Sequence, residues 1–353
     1  MFNIVSFIPK AVVQGIPLLY GSTGEIVTQK SGNLNLGIPG VMYVGAISGV
    51  IGAFNFEQAV KSYEAANAAE IAAAAASNSP DAFLTYGVPF LSVLIPMLSC
   101  LLGSLLMGLL YCFLTVTLKA NQNVTGLAMT TFGVGFGNFF GASLIKLSGA
   151  DVPSIALTNT SKYFSVKLPF AESAGWFGKI FLSYGPLAYL SIIIAIVAAL
   201  VIKKTRVGLH LRAVGESPAT ADSAGINVTM YKYGATCIGC MIAGLGGLYY
   251  VMDYATGVWS NDAFGDRGWL AIALVIFTIW KPDMSIFASI LFGGLYILYL
   301  FLPMNIDHME YQQLYKMIPY VVTLIVLVIT SIRNKRENQP PASLGLPYFR
   351  EER

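Results

Sequence analysis

About nine apolar runs, each long enough for a helix to cross a bilayer, follow one another along this 353-residue chain. A helix of about 20 mostly apolar residues spans the roughly 30 Å hydrocarbon layer. The composition is 56% hydrophobic and 11% charged, which is far from that of a soluble domain. The pattern predicts an all-α polytopic membrane protein, a single domain over residues 1–353, with spans at about 9–28, 36–54, 90–117, 123–145, 181–202, 233–252, 264–281, 284–303 and 315–332.

Lysine and arginine residues orient these spans, because both are enriched in the cytoplasmic loops of membrane proteins. Placing residues 203–232 in the cytoplasm puts most of the 21 basic residues on that side. The N-terminus is then external, and the proline-rich tail 333–353 is expected to lie along the cytoplasmic surface. The net charge of +3 is small and comes mainly from loops, which indicates membrane orientation and not nucleic-acid binding.

Two long loops, residues 55–87 and 146–180, are external in this arrangement. The first is rich in alanine and glutamate, which predicts a surface helix that ends at Ser79-Pro80. The second mixes charged residues with prolines, as an external cap or interfacial segment does. No cleavable signal peptide is predicted, because no small-residue cleavage site follows a basic start.

A short helix is predicted inside the cytoplasmic loop 203–232. Ser217 at the N-cap, Pro218 at the first helical position and Gly225 just past the end are typical helix boundaries. A short capped helix in a basic loop has no apolar partner within the membrane. We therefore expect it to contact another molecule in the cytoplasm.

Helix-breaking residues and carboxamides join the first two spans, in residues 24–40. Asn33 and Asn35 stand there among glycines and a proline. One interpretation is a broken helix at membrane depth, which is tolerated only where the freed backbone is buried in protein or lines a wet cavity. Broken helices of this kind often frame transporter binding sites. The alternative is a tight cytoplasmic turn with Glu25 and Lys30 at the water interface, and the sequence leaves both open.

Further candidates for a polar pathway open the fourth span, at Asn121, Gln122 and Thr131. Near the seventh span, Phe264 and Trp269 would either stack on a flat ligand or pack locally in the aromatic belt, and local packing is favoured. The four cysteines lie in apolar runs and are expected to pack between helices. Small residues four apart also predict close helix packing in the fourth and sixth spans: Gly133, Gly137, Gly141, Ala235, Gly239, Ala243 and Gly247.

Several motifs are absent from the sequence. It contains no GxxxxGK[ST], HExxH or GxSxG, so we expect no nucleotide hydrolysis by this chain, no metal and no cofactor. The span interiors are almost free of ionisable residues, which disfavours an ion-coupled carrier. A scaffolding membrane protein stays open as a third class.

Three segments, residues 24–46, 209–228 and 266–282, together resemble the permeases of bacterial ABC importers for ribose, branched-chain amino acids and nucleosides. The tail segment 343–351 is more similar to the nucleoside branch. The resemblance implies the permease fold of this group in the bacterial cytoplasmic (inner) membrane. It also implies a second permease subunit, ATP-binding subunits below and an external binding protein or lipoprotein above.

The resemblance assigns roles to residues. The Ser217–Gly225 helix would be the coupling helix that fits a groove of the ATPase, with Arg212, Glu216 and Asp222 at its polar contacts. The substrate would be a nucleoside, with a monosaccharide such as ribose as the nearest alternative. Loop 55–87 looks like an insertion, and Pro39 stands where we expect an acidic residue. The hypothesised pathway residues are Asn33, Asn35, Asn121, Gln122, Thr131, Phe264 and Trp269.

Overall fold

The computed structural model describes residues 4–68, 71, 83–148, 154–167, 175–262, 264–298, 301, 309–333 and 339–350. Helices form most of this part of the chain. They are α1 (Ile4–Gln29), α2 (Ile38–Ala66), α3 (Val88–Cys112), α4 (Gln122–Ser148), α5 (Thr158–Phe164), α6 (Gly175–Phe181), α7 (Pro186–Lys204), α8 (Arg206–Glu216), α9 (Pro218–Ser223), α10 (Val228–Tyr249), α11 (Arg267–Phe277), α12 (Pro282–Ile297) and α13 (Met309–Arg333).

Short π-helical turns and one small sheet complete the described structure. The turns are Phe83–Gly87 before α3, Phe113–Thr117 after it and Tyr250–Tyr254 after α10. Strands β1 (Ser154–Ala156) and β2 (Val258–Ser260) pair antiparallel, with Ile155 opposite Trp259. The all-α class is confirmed, because this two-stranded ribbon is a minor feature.

Five helical stretches are long and apolar enough to cross a membrane: Ile38–Ala66, Phe83–Thr117, Gln122–Lys146, Pro186–Lys204 and Val228–Tyr254. Helices α11 and α12 are shorter apolar helices. The chain is therefore a multi-pass membrane protein, and the number of nine spans stays a prediction.

Several helices begin or end at other residues than the predicted spans do. The fifth span starts at Pro186 and not at 181, because proline opens α7 after Gly185. The sixth starts at Val228 and not at 233, because the Asn227 side chain caps α10 by accepting from the Met230 N–H. The second runs to Ala66 and not to 54, so the loop 55–87 begins as a mostly exposed extension of α2. The predicted helix end at Ser79-Pro80 lies outside the described residues.

The core lies where α1, α2, α3 and α10 meet. Helices α2 and α10 are mostly buried, whereas less than a third of the apolar windows of α3 and α4 is buried: 28% and 22%. Large side chains such as Tyr20, Met42, Ile47 and Tyr249 fill this centre. All four cysteines are buried and unpaired, in keeping with helix packing. The bundle thus holds α1 and α2, together with the segment that joins them, at its centre.

The glycine positions of α4 and α10 allow close helix contact. A Cβ atom on Gly133 would lie 2.4 Å from the carbonyl oxygen of Gly40, on α2. A Cβ atom on Gly247 would lie 2.0 Å from the carbonyl oxygen of Met42. Both neighbours are backbone atoms, which cannot turn away. These two contacts confirm the packing role predicted for the small residues.

Replacing Gly133 by alanine should therefore push α4 away from α2. We expect Gly133→Ala to lower stability by about 1–3 kcal/mol, the usual cost of overpacking. The measurement is the thermal midpoint of the purified protein in detergent. Gly135→Ala is the matched control, because nothing lies within 4 Å of a Cβ atom at that position. Equal midpoints for the two variants would contradict the packing role.

Candidate functional site

The segment between α1 and α2 is irregular and mostly buried. Asn33 and Asn35 are both 0% exposed. The Asn33 amide donates to Thr236 Oγ1 at 3.0 Å, and the Asn35 amide contacts Cys240 Sγ at 3.6 Å. Thr236 and Cys240 lie in the middle of α10, so this segment enters the bundle as far as the middle of that helix. The broken-helix interpretation fits this placement, and a tight turn at the water interface does not.

Side chains from α3 and α4 satisfy the backbone of this segment. The Leu34 N–H donates to Gln122 Oε1 at 2.7 Å, and Tyr111 Oη donates to the Leu34 carbonyl at 2.5 Å. Thr130 Oγ1 donates to the Leu36 carbonyl at 2.9 Å. Buried backbone groups without such partners are costly, and here no regular secondary structure supplies them. The polar residues that open α4 thus hold the segment in place.

A buried carboxylate supports the same segment from α1. Oε1 of Glu25, which is 0% exposed, accepts from Gln29 Nε2 at 2.7 Å and from the Asn35 N–H at 3.1 Å. Gln29 Oε1 in turn accepts from the indole N–H of Trp280. The chain of contacts therefore links α1, the irregular segment and the residues after α11. Glu25 does not lie at the water interface.

Two buried acceptors near this network have no partner among the described residues: Glu25 Oε2 and Asn33 Oδ1. At the end of α1, burial lowers the pKa of Lys30, and the nearby Glu216 carboxylate opposes that shift. The segment therefore combines fixed carboxamides with unused hydrogen-bond capacity.

The structure brings only some of the predicted pathway residues together. Asn33, Asn35 and Gln122 meet in the buried segment. Asn121 is exposed and caps α4, since its Oδ1 accepts from the N–H groups of residues 123 and 124. Thr131 is exposed on the surface of α4.

The two predicted aromatic residues lie in other surroundings. Phe264 is buried against Tyr43 and Tyr250, with ring centroids 5.9 and 4.9 Å apart. Trp269, at the start of α11, is 36% exposed. Phe264 therefore packs locally here, the role that sequence reasoning favoured.

Sequence reasoning missed several residues of the buried network: Glu25, Gln29, Tyr111, Thr130, Thr236 and Trp280. One available signal was the spacing of Glu25 and Gln29, since residues four apart share a helix face. No such local signal marked Tyr111, Thr130, Thr236 or Trp280, because their contacts join residues far apart in the chain.

The loop between α7 and α10 contains the predicted short helix. Helix α9 begins at Pro218, after Ser217, whose hydroxyl accepts from the Thr220 N–H. Gly225 follows its end at φ +81°. The Ile226 N–H donates to the Ala221 carbonyl and the Gly225 N–H to the Asp222 carbonyl, both at 3.0 Å. These two bonds are the Schellman arrangement that ends helices at a glycine, so the predicted boundaries are confirmed.

A second helix in this loop, α8, was not predicted. Its side chains Arg212 and Glu216 are exposed, and Arg212 Nε contacts the Gly208 carbonyl at 3.4 Å. Ala221 of α9 is buried against Val214 of α8 and Val228 of α10. The outer face of α9 is exposed at residues 219, 220, 223 and 224. The loop is therefore a packed unit with one side left exposed.

Comparison with known proteins identifies the class. The model of the family described as the permease component of the branched-chain amino acid transport system matches residues 7–327. The chain therefore belongs to this family of ABC transporter permeases. Members are transport subunits, and the family implies an ATPase and a substrate-binding partner.

Individual relatives are similar over nearly their whole length. The nucleoside ABC transporter permease protein of Lactococcus lactis is 29% identical over 90% of each chain. The guanosine ABC transporter permease protein of Bacillus subtilis is 27% identical over 98% of this chain and 97% of its own. A Haloferax volcanii protein, provisionally named as a glucose ABC transporter permease, is 27% identical over 95% and 94%. No solved structure matches the chain significantly.

The Asn35 side chain should matter for stability. Its Oδ1 accepts from the Gly37 N–H at 2.9 Å, so Asn35→Ala leaves a buried donor unpaired. We expect a loss of about 1–3 kcal/mol, measured as a lower thermal midpoint in detergent. Asn123→Ala, at an exposed position of α4, is the control and should leave the midpoint unchanged. An unchanged midpoint for Asn35→Ala would show that the segment does not need this bond.

Proposed function

We propose that this chain is the permease subunit of an importer that carries nucleosides across the bacterial cytoplasmic membrane. Its ATP-binding partner would dock on the exposed face of α9, and ATP-driven movement of α9 would rock the bundle between outward- and inward-facing states. The capped, projecting α9 is the observation that carries this proposal. Two relatives named for nucleosides and guanosine support the substrate class. In this proposal Arg212, Glu216 and Asp222 surround the docking position.

The substrate pathway, in this proposal, runs along one face of α4. Residues 128, 131, 135, 138 and 142 recur at helical spacing on that face. They are alanine, threonine, glycine, asparagine and alanine, and the first three are exposed. At the outer end the Asn138 amide donates to Asp262 Oδ1 at 3.0 Å. A small, polar stripe is a poor surface for lipid, because polar groups are costly in hydrocarbon.

A second permease subunit covers this face in the assembled transporter, and the substrate passes between the two. Small residues let two helices approach closely, while the hydroxyl and carboxamide groups supply hydrogen bonds without fixed charge. The buried acceptors Glu25 Oε2 and Asn33 Oδ1 would join the pathway when the bundle rocks. An external binding protein or lipoprotein would deliver the substrate. A sugar is the second candidate, favoured by the relative provisionally named for glucose.

Uptake into vesicles tests the substrate. The chain, co-expressed with the ATPase, second permease and binding protein encoded with it, should take up labelled guanosine only with ATP inside. Excess unlabelled uridine or adenosine should reduce the rate if the pathway reads features shared by nucleosides. If only glucose or ribose competes, the substrate is a sugar and not a nucleoside. Uptake by the purified chain without an ATPase would end the proposal.

A matched pair of variants on α4 tests the pathway. Thr131 and Ser143 both donate to the carbonyl four residues back, at 3.3 and 2.9 Å, but only Thr131 lies on the stripe. We expect Thr131→Val to raise the KM of uptake several-fold, since one hydrogen bond to substrate contributes about 0.5–1.5 kcal/mol. Ser143→Ala should leave the KM unchanged. An equal KM for the two variants would show that the stripe does not line the substrate pathway.

A further inference from the structure

Residues 341–350 of the tail, here called the C-terminal strap, lie against the cytoplasmic loop. The backbone N–H and the hydroxyl of Ser343 both donate to the Gly215 carbonyl, at 3.0 and 2.6 Å. Ser343 is only 8% exposed, and Leu344 packs against the buried cluster around Ile26 and Trp280. The strap is thus anchored to α8 by buried hydrogen bonds and apolar contact.

The same strap touches the irregular segment between α1 and α2. The Gly345 N–H donates to the Gly32 carbonyl at 3.1 Å. A Cβ atom on Gly32 would lie 2.7 Å from Ser343 Oγ, and one on Gly215 would lie 2.3 Å from the Lys30 carbonyl. Three segments of the chain therefore meet here, and neither Gly32 nor Gly215 has room for a side chain. Asn33 is the next residue after Gly32 in the chain.

The far end of the strap holds α9. Tyr348 Oη donates to Asp222 Oδ2 at 2.8 Å, and Arg350 Nε lies 3.2 Å from the same oxygen. The Asp222 side chain is only 13% exposed, whereas that of Arg350 is 77% exposed. Tyr348 also packs on the apolar cluster of Val214, Ala221 and Val228. The tyrosine, more than the exposed arginine, fixes the strap to α9, because exposed ion pairs are screened by water.

We propose that the C-terminal strap is a mechanical link that carries movement of α9 to the segment containing Asn33 and Asn35. This inference rests on the proposed function. Within it, Asp222 does not hold the ATPase directly but positions α9 through Tyr348. Displacement of α9 pulls on Tyr348, and the bonds of Ser343 and Gly345 transmit the pull to Gly215 and Gly32. Such a link has one end in each site, which energetic coupling between sites requires.

The test compares uptake with ATP hydrolysis in the complete complex. Labelled guanosine uptake and substrate-stimulated ATP hydrolysis are measured in the same proteoliposomes, for Tyr348→Phe, Asp222→Ala and the double variant. We expect each to lower the uptake per ATP hydrolysed by about fivefold or more, as for ordinary coupling between sites. The double variant should be no worse than Asp222→Ala alone, because each substitution removes the bond between Tyr348 and Asp222.

Matched variants separate the link from other roles. Tyr233→Phe removes a tyrosine hydroxyl near the start of α10 that bonds Thr117 Oγ1 and not the strap, so its uptake per ATP should equal that of the unmodified complex. Asp222→Asn keeps an acceptor for the Tyr348 hydroxyl, so its uptake per ATP should stay close to that of the unmodified complex. A chain ending at residue 339 should behave like Tyr348→Phe.

Each contrary result overturns the link in a recognisable way. If Asp222→Ala lowers the ratio but Tyr348→Phe and the shortened chain do not, Asp222 acts on the ATPase directly. If uptake and hydrolysis fall in proportion, the strap only stabilises the fold. If the unmodified complex shows no ATP-driven uptake, the proposed function fails together with the link.

Discussion

The structure depends on supplying hydrogen bonds to an irregular stretch of backbone inside an apolar bundle. Lipid and apolar side chains provide none, so residues 31–37 need partners from every neighbouring helix. Glu25, Tyr111, Gln122 and Thr130 each contribute one. The helices must hold their relative positions for these bonds to form, and glycine contacts such as Gly133 against Gly40 make that spacing possible. The hydrogen bonds to this segment therefore form only when the helices around it are closely packed.

The irregular segment and the loop that holds α8 and α9 pack directly against each other. Helix α8 begins directly after α7, and its last turn contacts the backbone at Lys30 and Gly32. A loop that only joined two spans would not pack so closely against the entry to the bundle. The geometry suits the proposed function, in which movement of α9 reaches the polar residues of the irregular segment. The match to an ABC permease family over residues 7–327 agrees with this design.

Local features of the sequence predicted much of the fold, and contacts between distant residues account for most of what it missed. Apolar runs gave the helices, and Ser217, Pro218 and Gly225 gave the ends of α9, because such signals act within a few residues. The position of residues 31–37 stayed open, since a turn and a re-entrant segment share the same glycines and asparagines. The partners Tyr111 and Trp280 were invisible, because they lie 77 and 251 residues from the atoms that they contact. The contact of Tyr348 with Asp222 spans 126 residues and left no local pattern.

The burial of all four cysteines has a practical consequence. Thiol reagents that stay in water meet no native thiol at the described surface, so the natural chain needs no removal of cysteines before labelling. A single cysteine at Ala219, on the open side of α9, would then be the principal point of attachment for a fluorophore. Its reactivity toward an impermeant reagent in intact cells and in inverted vesicles would report on which side of the bilayer that helix stands.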